Sequence, residues 1–172
     1  VPALCFVARQ AGVEPSLIQQ VHEVNEAQKL LLFHRLSAHF AGNLRGRTIA
    51  VWGIAFKPKT DDIREAPALT LIRRLLEAGA AVRASDPRAL DKLRGEKLAG
   101  PLTLHADAYE ALAGADALLI CTEWNEYRSP DFDRIRAALR QPVIFDGRNL
   151  YTPDQMRRHG FQYYSIGRPP VR

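Results

Sequence analysis

At 172 residues, with 47% apolar and 25% charged residues and a net charge of +5, the chain has enough sequence for one domain with its own core and an appended segment, but too little for two independent domains. It contains no run of eighteen apolar residues and no signal-peptide pattern, which argues for a soluble, cytoplasmic protein without a membrane partner. The basic residues are scattered among acidic ones with no stripe of aromatics between them, so an anionic small molecule is a better ligand class than nucleic acid.

The first forty-odd residues differ in kind from the rest. Val1 to Ala11 reads as the remainder of a helix already under way, and Gly12-Val-Glu-Pro15 as a turn. From Ser16 to Phe40, Leu17, Val21, Val24, Leu31, Leu32, Leu36 and Phe40 recur every three or four residues, predicting a helix of roughly 35 Å. That is longer than a small domain needs, and a chain that opens in mid-pattern is expected to be a piece of a larger protein.

Gly42-Asn-Leu-Arg-Gly46 breaks the pattern, and strands and helices then alternate. The predicted strands are Thr48 to Phe56, Ala81 to Ser85, Leu102 to His105, Ala117 to Thr122, Val143 to Asp146 and Gln162 to Ser165. Helical patterns lie between them at Pro67 to Ala78, Arg88 to Leu93, Ala106 to Leu112, Asp131 to Leu139 and, before the last strand, Pro153 to His159. Continuous apolar strands such as Ala117-Leu-Leu-Ile-Cys121 belong in a parallel sheet covered on both faces. The expected fold is α/β: a Rossmann-like, doubly wound parallel six-stranded sheet with right-handed crossovers, preceded by a long connecting helix.

Ligands of such sheets sit beyond the carboxyl ends of the strands. The residues there are Phe56, Lys57, Lys59, Thr60, Asp61, Asp62 and Arg64 after the first strand, Asp86-Pro87 after the second, Thr122-Glu-Trp124 after the fourth and Asp146-Gly147-Arg148 after the fifth. Lys57 as a point charge and Arg148 as a planar fork suit a nucleotide diphosphate, although a solvated polar rim would carry the same residue types. The loop GIAFKPKTDDIREAP (residues 53–67) lacks the Gly-x-Gly-x-x-Gly fingerprint, so this sheet is not expected to hold a dinucleotide in the usual way by itself. Asp86 falls where a ribose-binding acid often sits, but Asp-Pro after a strand is more simply a turn. Cys5 and Cys121 are read as reduced packing residues, and the five dispersed histidines show no metal spacing.

Taken together, residues 53–67, the Ser85-Asp-Pro87 strand end, CTEWNEYRSPDF (121–132) and IFDGRNLY (144–151) resemble the carboxyl-terminal domain of the nucleotide-sugar 6-dehydrogenases, the UDP-glucose/GDP-mannose dehydrogenase family, and most closely its UDP-glucose branch. The resemblance covers the whole chain, with VHEVNEAQK (21–29) in the segment leading into that domain. It implies that residues 1–44 are the end of a central helical dimerisation domain and its connecting helix, and residues 45–172 the UDP-sugar-binding domain. The implied chemistry is oxidation of the sugar 6-hydroxymethyl to a carboxylate with two NAD in succession, through a thiohemiacetal and a thioester on a cysteine, in a homodimer or higher homo-oligomer. By the same resemblance Phe56 and Lys57 contact the nucleotide sugar, Arg148 the uridine diphosphate side, and Arg64 reaches towards NAD.

No catalytic residue is carried over. The Gly-Gly-Ser-Cys-Phe-Pro-Lys-Asp segment that bears the family's nucleophile is absent, Cys5 lies beyond its expected place, and the chain alone is expected to be inactive. A dehydrogenase acting on GDP-mannose or a UDP-N-acetylhexosamine, or a free-standing nucleotide-binding module with a helical arm, remain the alternatives.

Overall fold

The computed structural model describes residues 1–172, the side chain of Pro2 excepted. The chain divides into two compact units, Val1–Leu31 and Leu32–Arg172. The first holds helix α1 (Pro2–Gln10) and the opening turns of helix α2 (Ser16–His39). Gly12, at φ +75°, and a bond from the Val13 amide to the Ala8 carbonyl (2.9 Å) close α1. Phe6, Val7, Leu17 and Val24 of this unit stand exposed.

The unit boundary falls inside α2, because its later turns belong to the core of the second unit. Leu32, Leu36 and Phe40 are spaced four apart, lie on one helical face, and are buried together with Leu44 against the sheet residues.

That sheet has six parallel strands, β1 (Thr48–Trp52), β2 (Ala81–Ser85), β3 (Leu102–His105), β4 (Ala117–Ile120), β5 (Val143–Asp146) and β6 (Gln162–Ser165), in the order β3-β2-β1-β4-β5-β6. Burial explains the order. The central strands β4 and β5 are buried at every residue and β1 at all but its first, whereas the edge strands β3 and β6 are part-exposed. Both faces of the middle of the sheet are therefore dry, as the continuous apolar runs required.

The crossovers carry α3 (Pro67–Glu77), α4 (Leu90–Arg94), α5 (Ala108–Leu112), α6 (Phe132–Ala138) and α7 (Pro153–Arg158). Helix α3 has proline in its first turn and buries Ala68, Leu69, Leu71, Ile72, Leu75 and Leu76. Three helices begin at side-chain caps that accept an otherwise unpaired amide: Asp107 from Tyr109, Asp131 from Arg134 and Thr152 from Gln155. Opposite the candidate ligand edge, the buried carboxylate of Asp116 accepts from the Thr48 amide (2.8 Å) and meets Arg47 and Arg140.

Two strands are shorter than their apolar runs suggest. β1 ends at Trp52 because Gly53 takes φ +86°, and the amides of Ile54 and Ala55 then turn to the Asp86 carboxylate instead of a neighbouring strand. β4 ends at Ile120, although the Cys121 amide still donates to the Trp52 carbonyl (2.9 Å).

Candidate functional site at the carboxyl edge of the sheet

The strand order reverses direction between β1 and β4, and a crevice opens at such a switch point. Here the loops after those strands are drawn together. A Cβ built on Gly53 would lie 2.5 Å from Cβ of Thr122, so only glycine allows this approach. Thr122 Oγ1 donates to the Ala55 carbonyl at 2.6 Å. The next residue, Glu123, accepts a short hydrogen bond from Nε of Arg148. A continuous path of Ala55, Thr122, Glu123 and Arg148 thus joins the ends of β1, β4 and β5.

Phe56 and Lys57 follow Ala55 directly. The Phe56 amide donates to the Asp62 carbonyl (2.8 Å), closing a small loop in which Lys59 adopts φ +66°. Phe56 is 51% exposed, the one large apolar side chain of the second unit so displayed among the described residues. Lys57 is also exposed and, among the described residues, has neither an ion pair nor a side-chain hydrogen bond. An unpaired cation next in sequence to an exposed aromatic ring suits a ligand with a charged and a flat part.

Arg64 lies elsewhere on the same loop and is folded back on Asp62, with Nη2 to Oδ2 at 2.7 Å and Nε to Oδ1 at 3.0 Å. Those bonds hold the Asp62 carboxyl down at about 2 and raise the guanidinium in turn. Both groups are solvent-facing, so the pair organises the loop more than it stabilises the fold.

Arg148 sits in a turn fixed from beneath. Asp146, fully buried, accepts from the Arg148 amide (2.8 Å), the Tyr151 amide (3.2 Å) and the Tyr163 hydroxyl (2.7 Å). Asn149, at φ +53°, exchanges two hydrogen bonds with the backbone of Ile166. Glu123 is held ionised below the usual carboxylate range chiefly by its bond from Arg148, against the opposing effect of burial.

Asp86 is a turn residue, and more than that. Its buried carboxylate accepts five N–H groups: Arg88 and Ala89 on Oδ1, each at 2.8 Å, and Ile54, Ala55 and the Trp124 indole on Oδ2 at 2.6, 3.0 and 3.1 Å. It has no capacity left for a ribose. Beneath the rim, Trp52 stacks on Tyr127 (4.9 Å between centroids), whose carbonyl accepts from the Tyr151 hydroxyl at 2.6 Å. These buried rings give the loops a rigid floor.

Cys121 is buried, and burial pushes its thiol up to about 12, which fits packing and not nucleophilic work. The described residues contain no grouping able to hold a metal ion and no helix long and apolar enough to cross a membrane. Sequence reasoning singled out Lys57 and Arg148, which the fold puts on the same edge of the sheet, in the loops after β1 and β5 with the β4 loop between them. It missed the internal partner Glu123 and the depth at which Asp86 and Asp146 are buried, and nothing in their one-dimensional pattern separates a buried strand-end acid from an exposed one.

Comparison with known proteins agrees with this architecture. The chain is 48% identical to the UDP-glucose 6-dehydrogenase of Pseudomonas aeruginosa over 98% of its own length, and spans 38% of that protein. In structure it is similar to a UDP-glucose dehydrogenase of the archaeon Pyrobaculum islandicum, with a TM-score of 0.75 and 31% identity over 94% of this chain and 34% of the other. It is also similar to a UDP-D-ManNAc dehydrogenase of Pyrococcus horikoshii, with a TM-score of 0.73 and 28% identity over 94% of this chain and 36% of the other. The sequence profile described as UDP-glucose/GDP-mannose dehydrogenase family, UDP binding domain, matches residues 50–153. More than half of the chain lies in that match, and the chain therefore belongs to the UDP-glucose/GDP-mannose dehydrogenase family, by its UDP binding domain.

Proposed function

We propose that this chain holds the uridine diphosphate of UDP-glucose within an NAD-dependent UDP-glucose 6-dehydrogenase, with Phe56 and Lys57 on one side of the nucleotide sugar and Arg148 on the other. The observation that carries the reading is the unpaired Lys57 on the loop after β1, tied through Ala55, Thr122 and Glu123 to Arg148 after β5. Two cations on the same edge of the sheet, on either side of the loop after β4, suit a diphosphate. Contacts this far from the reacting carbon supply binding energy that positions the sugar for chemistry carried out elsewhere in the protein.

NAD is not cradled by this chain. The amides of Ile54 and Ala55, which a dinucleotide-binding loop would offer to a pyrophosphate, are already occupied by Asp86. In this reading the cofactor belongs to the remainder of the protein, and Arg64 would reach towards it on leaving the Asp62 carboxylate that holds it here. Both cysteines are buried, which suits a chain that is inactive by itself; its proposed setting is the cytoplasm, within the larger enzyme. Residues 1–44 would be the end of the central helical domain with its connecting helix, and residues 45–172 the UDP-sugar domain. The exposed Leu4, Phe6, Val7, Leu17, Val21 and Val24 support a homodimer or higher homo-oligomer in which that apolar face is covered.

A titration of backbone amide resonances with UDP, GDP and NAD tests the reading. Shifts with UDP that cluster at Phe56, Lys57 and Arg148 are expected. A preference for GDP would move the substrate to the GDP-mannose class, and no response at those residues would refute the site.

A further inference from the structure

We propose that Glu123 is a positioning residue for Arg148, gripping the guanidinium by Nε so that both terminal nitrogens face a nucleoside diphosphate. The inference rests on the reading of Arg148 as a diphosphate ligand and adds how that ligand group is aimed.

Arginine has five N–H donors in a rigid plane. Here the Nε donor goes to Glu123, while neither terminal nitrogen has a hydrogen-bond partner among the described residues. Four donors therefore remain on one end of the fork, the end suited to two phosphate oxygens. A carboxylate bridging both edges would have quenched the fork; this one takes only the base.

Glu123 is itself held on a rigid support. The residue before it is fixed by the bond from Thr122 Oγ1 to the Ala55 carbonyl (2.6 Å), and the residue after it, Trp124, is buried with its indole on Asp86 (3.1 Å). The backbone of Arg148 is separately fixed by Asp146 (2.8 Å). Both ends of the arginine side chain are thus anchored before a ligand arrives, which removes the entropy that a free arginine would lose on binding.

Glu123 also brings a negative charge near an anion, and that effect opposes the benefit of positioning. Comparing two neutral variants separates them. Glu123→Gln keeps an oxygen that accepts from Nε, and Glu123→Ala does not, while both lack the charge. UDP affinity is measured by calorimetry for both variants, each with Arg148 and with Arg148→Ala, and thermal melts verify that all four chains fold.

Glu123→Ala is expected to bind UDP about threefold to tenfold more weakly than Glu123→Gln, the range for ordering one long side chain. On the Arg148→Ala background the two should bind alike. Equal affinity of the two single variants, or a difference that survives the loss of Arg148, would overturn the positioning role while leaving the UDP site standing. If the native chain does not take up UDP, or Arg148→Ala binds it as well as the native chain, the underlying reading falls and this inference with it.

Discussion

Asp86→Asn tests whether the rim is organised by a buried carboxylate, and the size of the effect follows from the donors around it. The substitution is nearly isosteric, so no cavity forms, but one of two accepting oxygens becomes a donor. In the less damaging orientation the new amide faces the backbone N–H groups of Arg88 and Ala89, both 2.8 Å from Oδ1. Two donors are then left without acceptors, at about 1–3 kcal/mol each, and the three remaining bonds lose their charge assistance. The expected loss is about 4 kcal/mol, and at about 2–4 °C per kcal/mol the melting temperature should drop by roughly 8–16 °C. Urea denaturation and thermal melts of the two proteins measure it. A variant within about 1 kcal/mol of the native protein would refute the hub.

Gly53→Ala puts a methyl group 2.5 Å from Cβ of Thr122 at a backbone φ of +86°, and strain plus overpacking should cost about 2–4 kcal/mol by urea denaturation; a loss below about 0.5 kcal/mol would contradict the close approach of the two loops. The Asp62 carboxyl should titrate near 2, by carbon NMR, and return towards its ordinary 3.8 in Arg64→Ala. Because its folded value is depressed, the pair's contribution is present above 3.8 and lost as the pH falls through about 2; an unmoved midpoint in the variant would show that Arg64 is not the cause.

Much of the fold was legible in the sequence because strand burial and sequence pattern coincide. Runs such as Ala117 to Ile120 are apolar at every position since helices cover both faces of β4, and all six expected strands are present. The ends of β1 and β4 were harder to read. Ile54 and Ala55 are as apolar as strand residues, and only the positive φ of Gly53 and the distant carboxylate of Asp86 take them out of the ladder.

The rim was legible as a set of positions following strands, because a parallel sheet puts those positions on one edge. The pairings within it were not. Glu123 and Arg148 are 25 residues apart, and their meeting depends on β4 and β5 being neighbours in the sheet. The burial of Asp146 likewise depends on Tyr163, which reaches it from the adjacent edge strand. The short helical turn at Asn125–Tyr127 and the bridge between Tyr163 and Val171 gave no local signal at all, since tertiary packing alone specifies them.

Lys57 and Arg148 are the residues proposed to hold a uridine diphosphate. Calorimetric titration of UDP into the native chain, Lys57→Ala and Arg148→Ala tests it most directly. A charge-assisted phosphate contact is worth about 1.5–3 kcal/mol, so each substitution should weaken UDP binding roughly ten- to a hundredfold without lowering the melting temperature appreciably. Native affinity in both variants would contradict the account.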